Sequence, residues 1–109
     1  MSVNYTMKLE YLDEEVLVVT WLDSAGDPID ISDLTPELKF FDNNDEEVSV
    51  EHTIDTDDLE GEMTITVPSA GVDEAIEGYV NRYRLRVTDG GTYSRVLMTG
   101  RVRINDGQP

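Results

Sequence analysis

Between Gly78 and Asp106, apolar and polar residues alternate so regularly that the backbone has essentially one conformation open to it. Tyr83, Leu85 and Val87 alternate with Arg82, Arg84 and Arg86. Val96, Met98, Val102 and Ile104 alternate with Arg95, Thr99, Arg101 and Arg103. A period of two gives a strand with one buried and one polar face. The spacing predicts strands over Tyr79–Asp89 and Tyr93–Asn105, joined as a hairpin across Gly90-Gly91. A two-residue loop would set Asp89 opposite Thr92, Val87 opposite Ser94, Leu85 opposite Val96 and Tyr83 opposite Met98. On the other face Arg86 would oppose Arg95 and Arg84 would oppose Leu97. Two like charges in register are unfavourable, so a monomer would need carboxylates beside Arg86 and Arg95.

The same period recurs upstream. Tyr5–Leu12 places Tyr5, Met7, Leu9 and Tyr11 on one face. Val16–Asp23 is the most apolar and β-branched segment, as a buried strand requires, and Trp21 is its expected core anchor rather than a ligand platform. Ser24–Pro28 reads as a turn, Ile29–Ser32 as extended, and Leu34–Pro36 as a connection into a strand over Leu38–Asp42. Val48–Ile54 and Glu62–Pro68 alternate again. Val72–Glu77 is the one helical candidate, a single turn with Val72 and Ile76 on one side, and Gly78 is placed to cap it in a left-handed conformation. Seven or eight short strands with turns every 8–12 residues predict an all-β, antiparallel immunoglobulin-like sandwich. Its single domain spans residues 1–105, and 106–109 form a flexible tail.

Composition narrows what such a domain does. The 109 residues are enough for one core. With no cysteine, disulfides and thiolate metal sites are excluded. No apolar run reaches the roughly 18 residues of a membrane span, and the N-terminus lacks the layout of a secretory signal, so synthesis in the cytoplasm is expected. A net charge of −16 argues against binding a nucleic-acid backbone. That charge is unevenly spread. Residues 1–81 carry 22 acids and two lysines; residues 82–109 carry two acids and six arginines. The first part therefore stands at −20 and the last at +4. Cross-strand pairing of the arginines with acids is one explanation. A bipolar surface that docks copies head to tail is the other. The excess of acids over lysines also fits a salt-rich habitat.

Few residues suggest chemistry. Asp42–Glu47 and the group Asp55, Asp57, Asp58 and Glu60 offer oxygen donors suited to Ca²⁺. An EF-hand loop, however, needs Gly sixth and Glu twelfth, where Glu47 and Thr53 stand, so solvated turns are expected. His52, the one histidine, falls on an apolar strand face without a second metal ligand or a nucleophile at a telling spacing. It reads as a core or strand-end residue. Paired carboxylates serve as acid and base in many enzymes, but among 24 acids such pairs arise by chance. GxSxG is absent. No catalytic residue, metal ligand or cofactor site is expected.

Three segments carry a family likeness. WLDSAGDPIDISDL, EMTITVP and GYVNRYRLRVTDGGTYSRVLMTGRVRIND resemble, in that order, segments of the short immunoglobulin-like proteins of tailed phages, a type of domain that also begins baseplate upper proteins. The three cover about half the chain. The resemblance implies a non-enzymatic virion component at the tail, baseplate or head surface, acting through contacts with other phage structural proteins or its own copies, as a homo-oligomer in the particle. Head and tail locations share this fold and are not separated by it. The sequence departs from the pattern in placing Tyr79–Arg82 between Gly78 and Tyr83, so the corner tyrosine of sandwich folds is Tyr79 or Tyr83, with Tyr83 preferred. The expected contact residues are Arg82, Arg84, Arg86, Arg95, Arg101 and Arg103. A carbohydrate- or receptor-binding module is the alternative; it requires exposed aromatics on a sheet face, for which Tyr11, Phe41, Tyr79 and Tyr93 are the candidates.

Overall fold

In the computed structural model, which describes residues 3–105, the predicted alternation becomes two packed sheets. The predicted tail over 106–109 lies outside the described residues. The strands are β1 (Val3–Asn4), β2 (Met7–Glu10), β3 (Glu15–Thr20), β4 (Thr35–Asp42), β5 (Glu47–Val48), β6 (Thr53–Asp57), β7 (Glu62–Val67), β8 (Val80–Thr88) and β9 (Ser94–Asn105). A 3₁₀ turn, Asp58–Glu60, precedes β7, and helix α1 (Ser69–Glu77) follows it. The larger sheet runs β1-β9-β8-β4-β5, with β2 also on β9; the smaller runs β3-β7-β6. This is the expected immunoglobulin-like β-sandwich.

Inward positions of the alternating strands form the core. Met63, Ile65 and Val67 of β7 face Leu38 and Phe40 of β4, Tyr83, Leu85 and Val87 of β8, and Met98 and Val102 of β9, all buried in one cluster. Complete burial of such side chains contributes about 1.5–3 kcal/mol each. Trp21 is less central than expected. It is half-buried and packs against the cluster from its margin. The margin is open because β3 pairs only with β7, and its outward Val16 and Val18 stay 50% and 56% exposed.

Several elements depart from their predicted form. Of the predicted Tyr5–Leu12 strand only Met7–Glu10 forms, as β2, and β1 precedes it at Val3–Asn4; both lie parallel to β9, with Val3 opposite Met98 and Met7 opposite Val102. Met7 and Leu9 are buried as predicted, whereas Tyr5 and Tyr11 are exposed. The break is where the chain crosses Gly100: the Tyr5 amide donates to the Thr99 carbonyl at 2.9 Å, and a Cβ on Gly100 would lie 1.9 Å from the Tyr5 oxygen. Val48–Ile54 is not one strand but a crossing between sheets, β5 in the larger and β6 in the smaller, with Val50 buried between them. Ile29–Ser32 forms no strand, although Ile31 is buried. Helix α1 starts three residues earlier than predicted, at Ser69 after Pro68. Gly78 is not left-handed (φ −87°); Tyr79 is, at φ 54°. Gly78 is needed for space instead, because a Cβ there would lie 2.3 Å from Val48 Cγ1.

The closing hairpin also differs, and here the difference moves candidate residues. Its loop has three residues, not two: the Asp89 amide donates to the Tyr93 carbonyl at 3.3 Å, and the Asp89 carboxylate accepts from Gly91 and Tyr93 amides at 2.8 and 3.2 Å. A bulge then shifts the register between Leu85 and Arg86. Leu85 faces Met98, Arg86 faces Val96 and Val87 faces Arg95. The predicted Arg86–Arg95 opposition does not occur.

Candidate protein-contact surface

Alternation on β8 and β9 that sends Tyr83, Leu85, Val87 and Val102 inward sends Arg82, Arg84, Arg86, Arg101 and Arg103 outward. On β4 the same rule turns Glu37, Lys39 and Phe41 outward, and on β2 it turns Lys8 and Glu10 outward. Seven of the chain's eight basic residues therefore share the outer face of the larger sheet. Five of the six expected arginines meet there.

Arg95 does not. The three-residue loop places it in register with inward-facing Val87, the bulge parts it from the outward residues further along β9, and at the open end of the sandwich its guanidinium lies over the Trp21 ring, 5.6 Å from the centroid. One extra residue in a strand reverses the face of everything beyond it. Lys8, Lys39 and Phe41 join the surface although only the arginines were expected to form it. The signal was present in the sequence: Lys8 stands between Met7 and Leu9, and Lys39 between Leu38 and Phe40.

Charge pairing on this face is partial. Arg86 donates to the Glu37 carboxylate at 2.6 Å, Arg82 pairs with Asp45, and Lys39 lies 3.6 Å from Glu47. The hydrogen bond from Arg86 holds the Glu37 carboxyl below the usual carboxylate range, against a smaller opposing effect of burial. Among the described residues, Lys8, Arg84, Arg101 and Arg103 have no ion pair; Arg84 lies over the Phe41 ring, 5.3 Å from its centroid, and acts on Glu37 only at a distance. Three rows set like charges in register: Lys8 with Arg103, Lys39 with Arg84, and Arg82 with Arg101. Each row opposes folding of the isolated sheet. Arg82, Arg84 and Arg101 border a groove of about 660 Å³ with Phe41, Asn4 and Thr99. Two guanidinium groups lie over the ring of Phe41, which leaves it a poor flat platform for a sugar.

The cluster forms on an acidic molecule. Seven cations against four carboxylates at the face and its rim (Glu10, Glu37, Asp45, Glu47) leave it at +3, while the other twenty acids and Arg95 give the remainder −19. The outer face of the smaller sheet, on the opposite side, carries Asp55, Asp57 and Glu62 and no basic residue.

The other candidates resolve differently. At Asp42–Glu47 the Asp42 carboxylate accepts from the amides of Asn44 and Glu46 at 2.8 and 3.1 Å, closing the β4–β5 turn. Asp23 does the same with Ala25 and Asp27. Among the described residues no group of three acids or histidines converges as a metal site. Asp55 and Asp57 lie in β6 and Asp58 and Glu60 in the 3₁₀ turn, not in a single loop. His52 is half-buried, with Nδ1 2.7 Å from the Val50 carbonyl and its ring edge-on to Phe40. Of the two corner-tyrosine candidates, Tyr79 is 80% exposed and Tyr83 is 2% exposed. The Tyr83 hydroxyl donates at 2.6 Å not to a nearby corner but to the carbonyl of Tyr5, 78 residues away.

No protein-family model matches the chain, and no curated protein matches it. Among solved structures, the crystal structure of the Lin-41 filamin domain is similar at 20% identity and a TM-score of 0.43, over 88% of this chain and 82% of that one. What the two packed sheets establish is the fold: an immunoglobulin-like β-sandwich whose larger sheet turns a cationic face outward.

Proposed function

We propose that this domain is a non-enzymatic structural protein of a tailed-phage virion, working through protein–protein contacts made by the cationic face of its larger sheet. One observation supports the contact surface above all others: seven of eight basic residues lie on one sheet face, three pairs of them in like-charged register, within a chain of net charge −16. Such an arrangement is unfavourable in isolation and favourable against an anionic partner. The sequence likeness to short phage sandwich proteins supplies the virion setting. No second reading is favoured, since the aromatic nearest to a sheet-face platform, Phe41, is covered by Arg82 and Arg84.

Mass spectrometry of purified particles made from the encoding genome tests this. The chain is expected in the particle at a fixed ratio to the major virion protein. Arg101→Glu with Arg103→Glu should remove it from particles while the free protein stays folded. Abundance in infected cells with absence from particles would contradict the proposal.

A further inference from the structure

Resting on that proposal, we infer that the partner of the cationic face is the acidic outer face of the smaller sheet on a second copy of this chain. The two faces belong to opposite sides of one sandwich. The outer rows of the smaller sheet are Val16-Thr66-Thr53, Val18-Thr64-Asp55 and Thr20-Glu62-Asp57. Asp55 and Asp57 are exposed and Glu62 half-buried, and among the described residues none of the three is in an ion pair. Across the molecule Lys8, Arg101 and Arg103 are equally without one. A carboxylate docked between in-register cations relieves their repulsion, and arginine binds it with two parallel hydrogen bonds. Val16 and Val18, half-exposed beside the acids, add apolar surface to the same face.

Contact between unlike faces is heterologous, so each open assembly still presents one free face of each kind, and it grows into a ring or a filament. The net charge of −16 does not forbid it. At physiological ionic strength charges are screened beyond about 8 Å, so the patches in contact outweigh the distant acids. Each copy added covers one cationic and one acidic face.

Sedimentation velocity at physiological salt on the intact chain and two surface variants tests the inference. One variant carries Arg101→Glu and Arg103→Glu, the other Asp55→Lys and Asp57→Lys, with circular dichroism used to confirm that both fold. The wild type is expected to associate with rising concentration. Each variant alone should be monomeric, its association weakened at least tenfold. An equimolar mixture should recover a complex, because the intact cationic face of one variant meets the intact acidic face of the other. A wild type monomeric throughout, or association retained by either variant alone, would overturn the inference. Binding of heparin by the wild type without self-association would also overturn it and assign the face to another polyanion. The virion proposal is judged separately: loss of the arginine variant from particles upholds it even when the wild type is monomeric in solution.

Discussion

Tyr83 joins the two least sequence-local parts of this domain. Its ring is in the core, and its hydroxyl reaches the Tyr5 carbonyl where the N-terminal segment crosses β9. Burial pushes its ionisation up to about 12, the Tyr5 phenol adding a smaller share. In the unfolded chain a tyrosine gives up its proton near pH 10. The folded-state value is the higher, so this contribution to stability is complete below about pH 10 and is lost as pH rises towards 12. Tyr83→Phe should cost about 1–1.5 kcal/mol at neutral pH by leaving the Tyr5 carbonyl without its donor, measured by urea unfolding. It should also flatten the alkaline decline of stability. An unchanged midpoint together with an unchanged alkaline limb would show that the hydroxyl contributes nothing.

At the scale of elements, Gly100 carries the same junction from the other side. A methyl group there meets backbone atoms of Tyr5, not the tip of a flexible side chain. Gly100→Ala should therefore push β1 and β2 away from β9 and cost roughly 2–3 kcal/mol by overpacking. Limited proteolysis should then cut first between residues 1 and 12. A loss below 0.5 kcal/mol with an uncut N-terminal segment would contradict the packing described. Inner and outer faces were legible in the sequence, since a period of two assigns them locally: Tyr83, Leu85 and Val87 fell inward and Arg82, Arg84 and Arg86 outward as expected. The turns were legible too, because an aspartate at Asp23, Asp42 and Asp89 accepts amides two and four residues on. Register was not. It depended on a third loop residue and a bulge near Leu97, neither of which changes the hydrophobic pattern enough to be seen, and together they moved Arg95 off the cationic face. Nor was the parallel pairing of β1 and β2 with β9, a contact between chain ends that no local propensity encodes.

For the whole molecule, the fold turns a sequence asymmetry into a spatial one. About three quarters of the chain is acidic and its end basic, yet the sandwich draws Lys8 and Lys39 from the acidic part onto the arginine face. These are the only two lysines in the chain. A zero-length carbodiimide cross-linker, which joins amines to carboxylates, therefore reports on this face almost alone. Applied to assembled protein or intact particles, it should yield intermolecular links from Lys8 or Lys39 to carboxylates of a neighbouring chain, with Asp55, Asp57 and Glu62 of a second copy foremost. Both lysines should also resist acetylation in the assembly and react freely in the monomer. Lysines that acetylate equally in both states, with no intermolecular link, would contradict the cationic face as the contact surface.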